Sequence, residues 1–180
     1  TLKRARKRTK AEVWHRMSRV LGTPFHSRAE LAASTPEWYR WGDYFVVDIY
    51  TDVKEELAAM RERVTVNEMS PLWKLRLSGP DSVELINAVI TRDISGQEID
   101  QIIYTPWCNQ AGKVVGDGLL LREQEDSFVL VAGPNKDWFS SLSSGLDVDI
   151  EDITDTIGIL ALQGPRSRDV LEAASGRSFS

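Results

Sequence analysis

The sequence predicts an α+β fold with antiparallel sheets and helices gathered on one face. Three observations carry this. Trp73-Lys74-Leu75-Arg76-Leu77 alternates strictly between apolar and polar, the period of a half-buried strand. Tyr104 to Leu121 holds two apolar runs around the short polar turn Asn109 to Gly112, the outline of a hairpin. Leu77-Ser78-Gly79-Pro80-Asp81-Ser82 returns as Leu162-Gln163-Gly164-Pro165-Arg166-Ser167, and each copy stands where a strand gives way to a helix. From Trp73 to about Ile150 the expected order is strand, helix, three strands, helix, strand, an elaborated split βαβ unit of βαββαβ type.

In chain order, the first ten residues carry six basic side chains and no acid. The whole chain is −5, which leaves −11 for the other 170 residues. A basic arm on an acidic body reads as a solvated extension rather than a nucleic-acid arm, because no aromatic is interleaved with it. Ala11 to Leu21 places Val13, Trp14, Met17, Val20 and Leu21 on one helical face, and Gly22-Thr23-Pro24 closes it. Residues 1–22 are therefore expected to form a basic tail with an amphipathic helix.

His15 and His26 are the only histidines and have no carboxylate cluster beside them, so both are expected to be structural. Glu37 to Tyr50 is dense in aromatic residues, which points to core or helix-to-sheet packing, with the lining of a planar-ligand site as the other reading. Asp52 to Arg63 reads as a helix with Val53, Leu57, Met60 and Val64 as its buried row. Asp81 and Glu84 have capping-box spacing ahead of a helix over Ser82 to Ile90. Ser127 to Ala132 is an apolar strand, Asn135 is placed to cap a short helix, and Val148 to Ile150 makes a further strand. The unbroken apolar run Ile157 to Leu162 suggests a strand buried on both faces.

Composition is that of a globular protein, with 42% hydrophobic and 27% charged residues. No apolar run reaches the length of a membrane span and no signal-type apolar region lies near the start, so a cytoplasmic protein is expected. The single cysteine, Cys108, rules out an internal disulfide and a thiolate zinc site; a buried small hydrophobe is its ordinary role. The chain begins at Thr1, consistent with processing or excision from something longer.

Asp117 is the candidate functional residue. An acid between Gly116 and Gly118 in an apolar run has two readings. Asp-Gly is a hairpin signal, so it can be a turn acid. If the turn lies at Gln110 to Gly112 instead, then Val115, Asp117, Leu119 and Leu121 share one strand face and the acid lines a cleft. The flanking glycines would then strip side-chain bulk from the opposite face and allow close approach.

These motifs together resemble the glycine-cleavage T-protein (aminomethyltransferase) family. Leu160 to Pro165 is similar to its "ALQGP" signature, Thr23-Pro24-Phe25 to its "TPL", Leu77 to Pro80 to its "V-x-GP", and Ile90 to Ser95 to its "ITNDIS" segment. Tyr104 to Leu121 resembles its "Y-x-x-x-CN-x-x-GG-x-x-DD-L" stretch. The order agrees over most of the chain after Gly22.

The resemblance implies the N-terminal part of the T-protein fold, with residues 23–72 and 156–180 forming an incomplete first folate-binding domain and 73–155 a second domain carrying Asp117. It implies a tetrahydrofolate-dependent one-carbon transferase, moving an aminomethyl or methyl unit from a small amine or a lipoyl-carrier-bound donor to tetrahydrofolate. The family's functional aspartate falls on Asp117, the Asn of "CN" on Asn109, and the pterin-contacting tyrosine on Tyr104. Leu119 and Val131 fall on apolar positions of the folate pocket. Two departures qualify this. The family's "DVSH" is Glu68-Met69-Ser70-Pro71, and the first Asp of "DD" is Gly116. Gly-Asp-Gly is more similar to folate-dependent O-demethylases. An O- or S-demethylase, or a non-catalytic folate-binding subunit completed by a partner chain, are the alternatives.

Overall fold

A computed structural model describes residues 20–133 and 135–179. It divides into two compact units: residues 72–157, and a discontinuous unit holding the residues up to Pro71 together with Gly158 onward. The expected helix over Ala11 to Leu21 lies outside the described residues except at its end, where Leu21 stands in a strand instead.

The unit of residues 72–157 runs β5 (Trp73–Ser78), α3 (Ser82–Val89), β6 (Ile102–Cys108), β7 (Val114–Gln124), β8 (Ser127–Ala132), α4 (Lys136–Leu142) and β9 (Asp149–Asp152). Three strands separate the two helices, one more than a plain βαββαβ unit. The sheet order is β6-β7-β8-β5-β9, antiparallel throughout. Registry sorts the side chains. Leu75 faces Leu130, Leu77 faces Phe128, and Leu120 also faces Leu130, all on the helix side. With Leu85, Ile86 and Val89 of α3 and Phe139 of α4, residues Leu77, Leu120, Phe128 and Leu130 form one buried cluster, and Leu75 is buried as well. The other face of the sheet carries no helix among these elements, and there Leu119 and Val131 stand side by side.

β6 is the edge strand, which is why a proline is tolerated within it. The carbonyl of Pro106 points away from β7 and accepts the amide and the hydroxyl of Thr91, each at 3.1 Å.

Two expected caps are absent. The Asp81 carboxylate accepts the Asp147 amide at 2.8 Å and leaves the start of α3 without a side-chain cap. The Asn135 amide donates to Gly133 O at 2.8 Å and likewise does not cap α4. In both cases a neighbouring backbone group outside the helix competes for the side chain.

The other unit contains β1 (Leu21–Gly22), α1 (His26–Ala32), β2 (Glu37–Trp41), β3 (Tyr44–Ile49), α2 (Val53–Glu62), β4 (Thr65–Glu68), β10 (Leu160–Gln163) and α5 (Ser167–Ser175). β2 and β3 form a hairpin, and β1 pairs parallel with Tyr44 and Phe45 of β3. The aromatic segment packs on this hairpin: Trp38 stacks on Phe45 at 5.2 Å and meets His26 at 4.9 Å. His26 also lies 3.3 Å from Phe45 O through Nδ1, a structural role. α2 is capped by Asp52, which accepts the amides of Lys54 and Glu55.

Here two expectations are corrected. β4 and β10 form a two-stranded sheet, and Leu160 is 49% exposed, so the run Ile157 to Leu162 is not buried on both faces. Most of the expected buried row of α2 is open as well: Val53, Leu57 and Met60 are exposed because nothing described covers them, while Val64 is half-buried beyond the helix end.

The repeated Gly-Pro motif is one local structure used twice. Gly79 and Gly164 have φ of +130° and +133°, and a backbone carbonyl abuts each where a Cβ would stand. The carbonyl of each glycine then accepts the amide three residues on, Ser82 at 3.0 Å and Ser167 at 3.1 Å, and a helix starts.

Candidate functional site

The polar turn at Asn109 to Gly112 is the hairpin tip. Gly112 has φ of +69°, and its amide donates to Asn109 O at 2.9 Å. Asn109 Oδ1 accepts the amides of Ala111 at 3.0 Å and Lys113 at 3.1 Å. That side chain is thus spent on shaping the turn, and its remaining polar group is the side-chain NH₂.

With the tip fixed there, Gly116-Asp117-Gly118 is not a turn. It lies within β7, and Asp117 is opposite Pro106 of β6. The pleat sends Asp117 to the face away from α3 and α4 with Leu119, while Gly116 and Gly118 face those helices. A Cβ on Gly116 would come within 2.5 Å of the Trp107 indole, and one on Gly118 within 2.5 Å of Val131 O. The glycines do strip bulk from the opposite face, and what approaches closely is the protein's own core. Trp107 is fully buried and meets Phe139 edge-on at 5.5 Å. It fixes the back of the acid's strand. The sequence reading gave Trp107 no role, although alternation with Thr105 put it on the inner face.

Tyr104 is opposite Leu119, so it sits diagonally from Asp117 on the same face. Its hydroxyl donates to Asp117 Oδ2 at 2.9 Å. That bond holds the Tyr104 phenol above its ordinary pKa, with burial and the Asp117 charge adding to it. Leu119 is in turn opposite Val131 of β8. Four of the five expected residues, Tyr104, Asp117, Leu119 and Val131, therefore share one sheet face, and Asn109 stands at the end of the hairpin. Ile102 and Pro106, two positions either side of Tyr104, line the same face and were missed; period two from Tyr104 is the signal that would have found them.

The result is an open shelf. Asp117 and Tyr104 are exposed, and Leu119 is 47% exposed. A carboxylate with one oxygen bonded to a phenol keeps lone pairs for further donors, and the apolar side chains beside it offer a flat surface. Lys74, opposite Val131 on the same face, is fully buried and donates from Nζ to Thr154 O at 3.0 Å. Burial lowers its pKa against the opposing pull of Asp155 and Asp152. Among the described residues no group of three or more His, Cys, Asp or Glu could hold a metal ion, and no helix is long and apolar enough to cross a membrane.

The family model described as GCVT N-terminal domain matches residues 25–180. The chain belongs to this family. Members with curated names include an aminomethyltransferase of Thermotoga maritima, 29% identical over 82% of this chain and 41% of its own length. An aminomethyltransferase of Desulfitobacterium hafniense strain Y51 is 33% identical over 68% of this chain and 35% of its own. The crystal structure of glycine cleavage system aminomethyltransferase T from Bartonella henselae superposes with a TM-score of 0.73 at 22% identity, covering 86% of this chain and 44% of that one. This likeness shows that the chain has the fold of the part of that protein it covers. The chain spans less than half the length of the curated relatives it matches.

Proposed function

We propose that this chain provides the folate-facing shelf of a tetrahydrofolate-dependent one-carbon transferase, with Asp117 as its acid. The observation that supports this most directly is the Tyr104–Asp117 pair, held at 2.9 Å on the sheet face away from α3 and α4, beside Leu119 and Val131. A reduced pterin presents N–H donors along one edge and a flat ring, and this set fits both. Tetrahydrofolate, when bound, supplies the nitrogen that takes up the carbon unit.

In this reading Asp117 accepts pterin N–H groups with the oxygen that Tyr104 leaves open, and so sets the ring's orientation. The phenol of Tyr104 stays protonated near neutrality and holds the carboxylate in one rotamer. Asp117 is also the group placed to take a proton as the transfer proceeds. Leu119 and Val131 carry the ring's apolar face and exclude water from it, and Asn109 offers its side-chain NH₂ at the hairpin end. Trp107 and the glycines keep the strand in place from behind. The donor is a methyl or aminomethyl group on a small amine or on a lipoyl carrier. An O- or S-demethylase would use the same shelf, and the Gly-Asp-Gly context of Asp117 favours that second reading.

Titration with a stable reduced folate, followed by tryptophan fluorescence, tests the proposal. Saturable binding is expected, weakened about tenfold or more in Asp117→Asn, the loss of one hydrogen bond to a charged group. Binding unchanged by the substitution, or none by a folded chain, sinks it.

A further inference from the structure

The β2–β3 hairpin has two faces of different character. Trp38 and Phe45 lie on one, where His26 of α1 packs against Trp38. The opposite face takes Tyr39 and Trp41 from β2, with Tyr44, Val46 and Asp48 from β3. Val46 is buried, Trp41 and Tyr44 are half-buried, and Tyr39 remains 38% exposed. The rings of Tyr39 and Trp41 lie 23° from parallel with centroids 6.3 Å apart, so together they make an aromatic plate.

The charge on this plate has one sign. Partial burial and the Asp48 carboxylate raise the Tyr39 pKa, which puts the acid beside that ring. Asp48 enters no salt bridge among the described residues. Arg40 alternates to the other face and donates to Gly42 O at 2.7 Å and Asp43 Oδ1 at 3.0 Å. Aromatic rings beside a carboxylate favour apolar side chains accompanied by a cation.

The course of the chain supplies an occupant. Leu21 of β1 lies opposite Tyr44, and its amide donates to Asp43 O at 2.8 Å. Because β1 runs parallel to β3, the residues before Leu21 arrive at the turn end of the hairpin, beside Trp41 and Tyr44. Residues 11–19 come directly before them in sequence. At helical spacing they hold Val13, Trp14 and Met17 in one apolar row, with Arg16 on its flank. At helical rise such a segment spans about 13 Å, whereas the two strand spacings from β1 to β2 amount to about 10 Å. It is long enough to cross Tyr44 and reach Tyr39.

We propose that residues 11–19 of this chain dock across this face. Val13, Trp14 and Met17 would lie on the rings of Tyr39, Trp41 and Tyr44, with Arg16 drawn to the side of Asp48. The segment stands outside residues 25–180, which the family model matches, so the strap is an addition of this chain to the shared domain. The inference rests on the hairpin face and the sequence before it, and it stands or falls apart from the folate reading.

Hydrogen exchange of the full chain, read by mass spectrometry over residues 11–19, is the test. Docking is expected to slow exchange there about tenfold or more below the intrinsic rate. That protection should disappear in Met17→Asp, on the segment, and in Tyr39→Ser, on the face. It should persist in Ile99→Asp on the other unit. Tyr39 and Ile99 are exposed, so the fold tolerates their replacement, and circular dichroism verifies it. Wild-type exchange at the intrinsic rate overturns the proposal, as does protection that survives Tyr39→Ser. Protection lost on dilution would assign the face to the segment of a second copy and overturn it equally.

Discussion

At the scale of single residues, the Tyr104–Asp117 pair is the most informative contact. Because the phenol donates to a carboxylate, ionising it loses a hydrogen bond and brings two negative charges together, so its pKa rises. The neutral phenol is the form the fold favours. Its stabilisation is complete below the ordinary tyrosine pKa and disappears as pH rises through the elevated one. Phenolate absorbance should therefore show one tyrosine titrating later than the ordinary range, and Asp117→Ala should move it back down. A titration identical in the two proteins would mean that the pair does not persist in solution. The face on which Asp117 sits was legible by counting in twos from the turn. The turn duty of Asn109 was not, because an Asn three residues before a glycine gives no sign of which amides it will accept. Nor was the neighbour of Gly116, since Trp107 reaches it only once β6 and β7 pair with a bulge between Trp107 and Cys108.

At the scale of elements, strands and helices in residues 72–157 followed their periodicity closely, whereas the caps did not. Capping is a contest between nearby acceptors and donors, and the Asp147 amide that takes Asp81 arrives from 66 residues away. Sequence spacing cannot display such a rival. The glycine beside the acid allows a sharper test of how the hairpin is packed. Gly118→Ala would thrust a methyl within 2.5 Å of Val131 O and 2.9 Å of the Ala132 Cβ, so β7 or β8 must shift. A loss of about 1–3 kcal/mol is expected on denaturant unfolding, the usual cost of overpacking. No loss would show that the two strands separate more readily than their registry implies. The α2 row was misjudged for a different reason. Helical periodicity reports that a face is apolar, and it says nothing of what covers that face.

At the scale of the molecule, the α+β class was legible throughout, and the uneven distribution of core was not. Residues 72–157 contain Leu77, Leu85, Ile86, Trp107, Phe128, Leu130 and Phe139 in one cluster. Expressed alone, this segment is expected to unfold in one cooperative transition, with Trp107 shielded from quencher until it does. Gradual, non-cooperative loss of structure would show that it depends on the remainder. The other unit, with its open α2 row, is expected to be the less stable of the two.

Pro106 has a consequence for how this protein behaves at high concentration. β6 ends the sheet that bears the acid, and a bare strand at such a border invites recruitment by a second sheet and growth into fibrils. Its proline has no amide hydrogen to offer a newcomer, and Thr91 already occupies the carbonyl. At Pro106 the border beside the acid therefore offers a newcomer neither an amide hydrogen nor a free carbonyl, which disfavours templated polymerisation there.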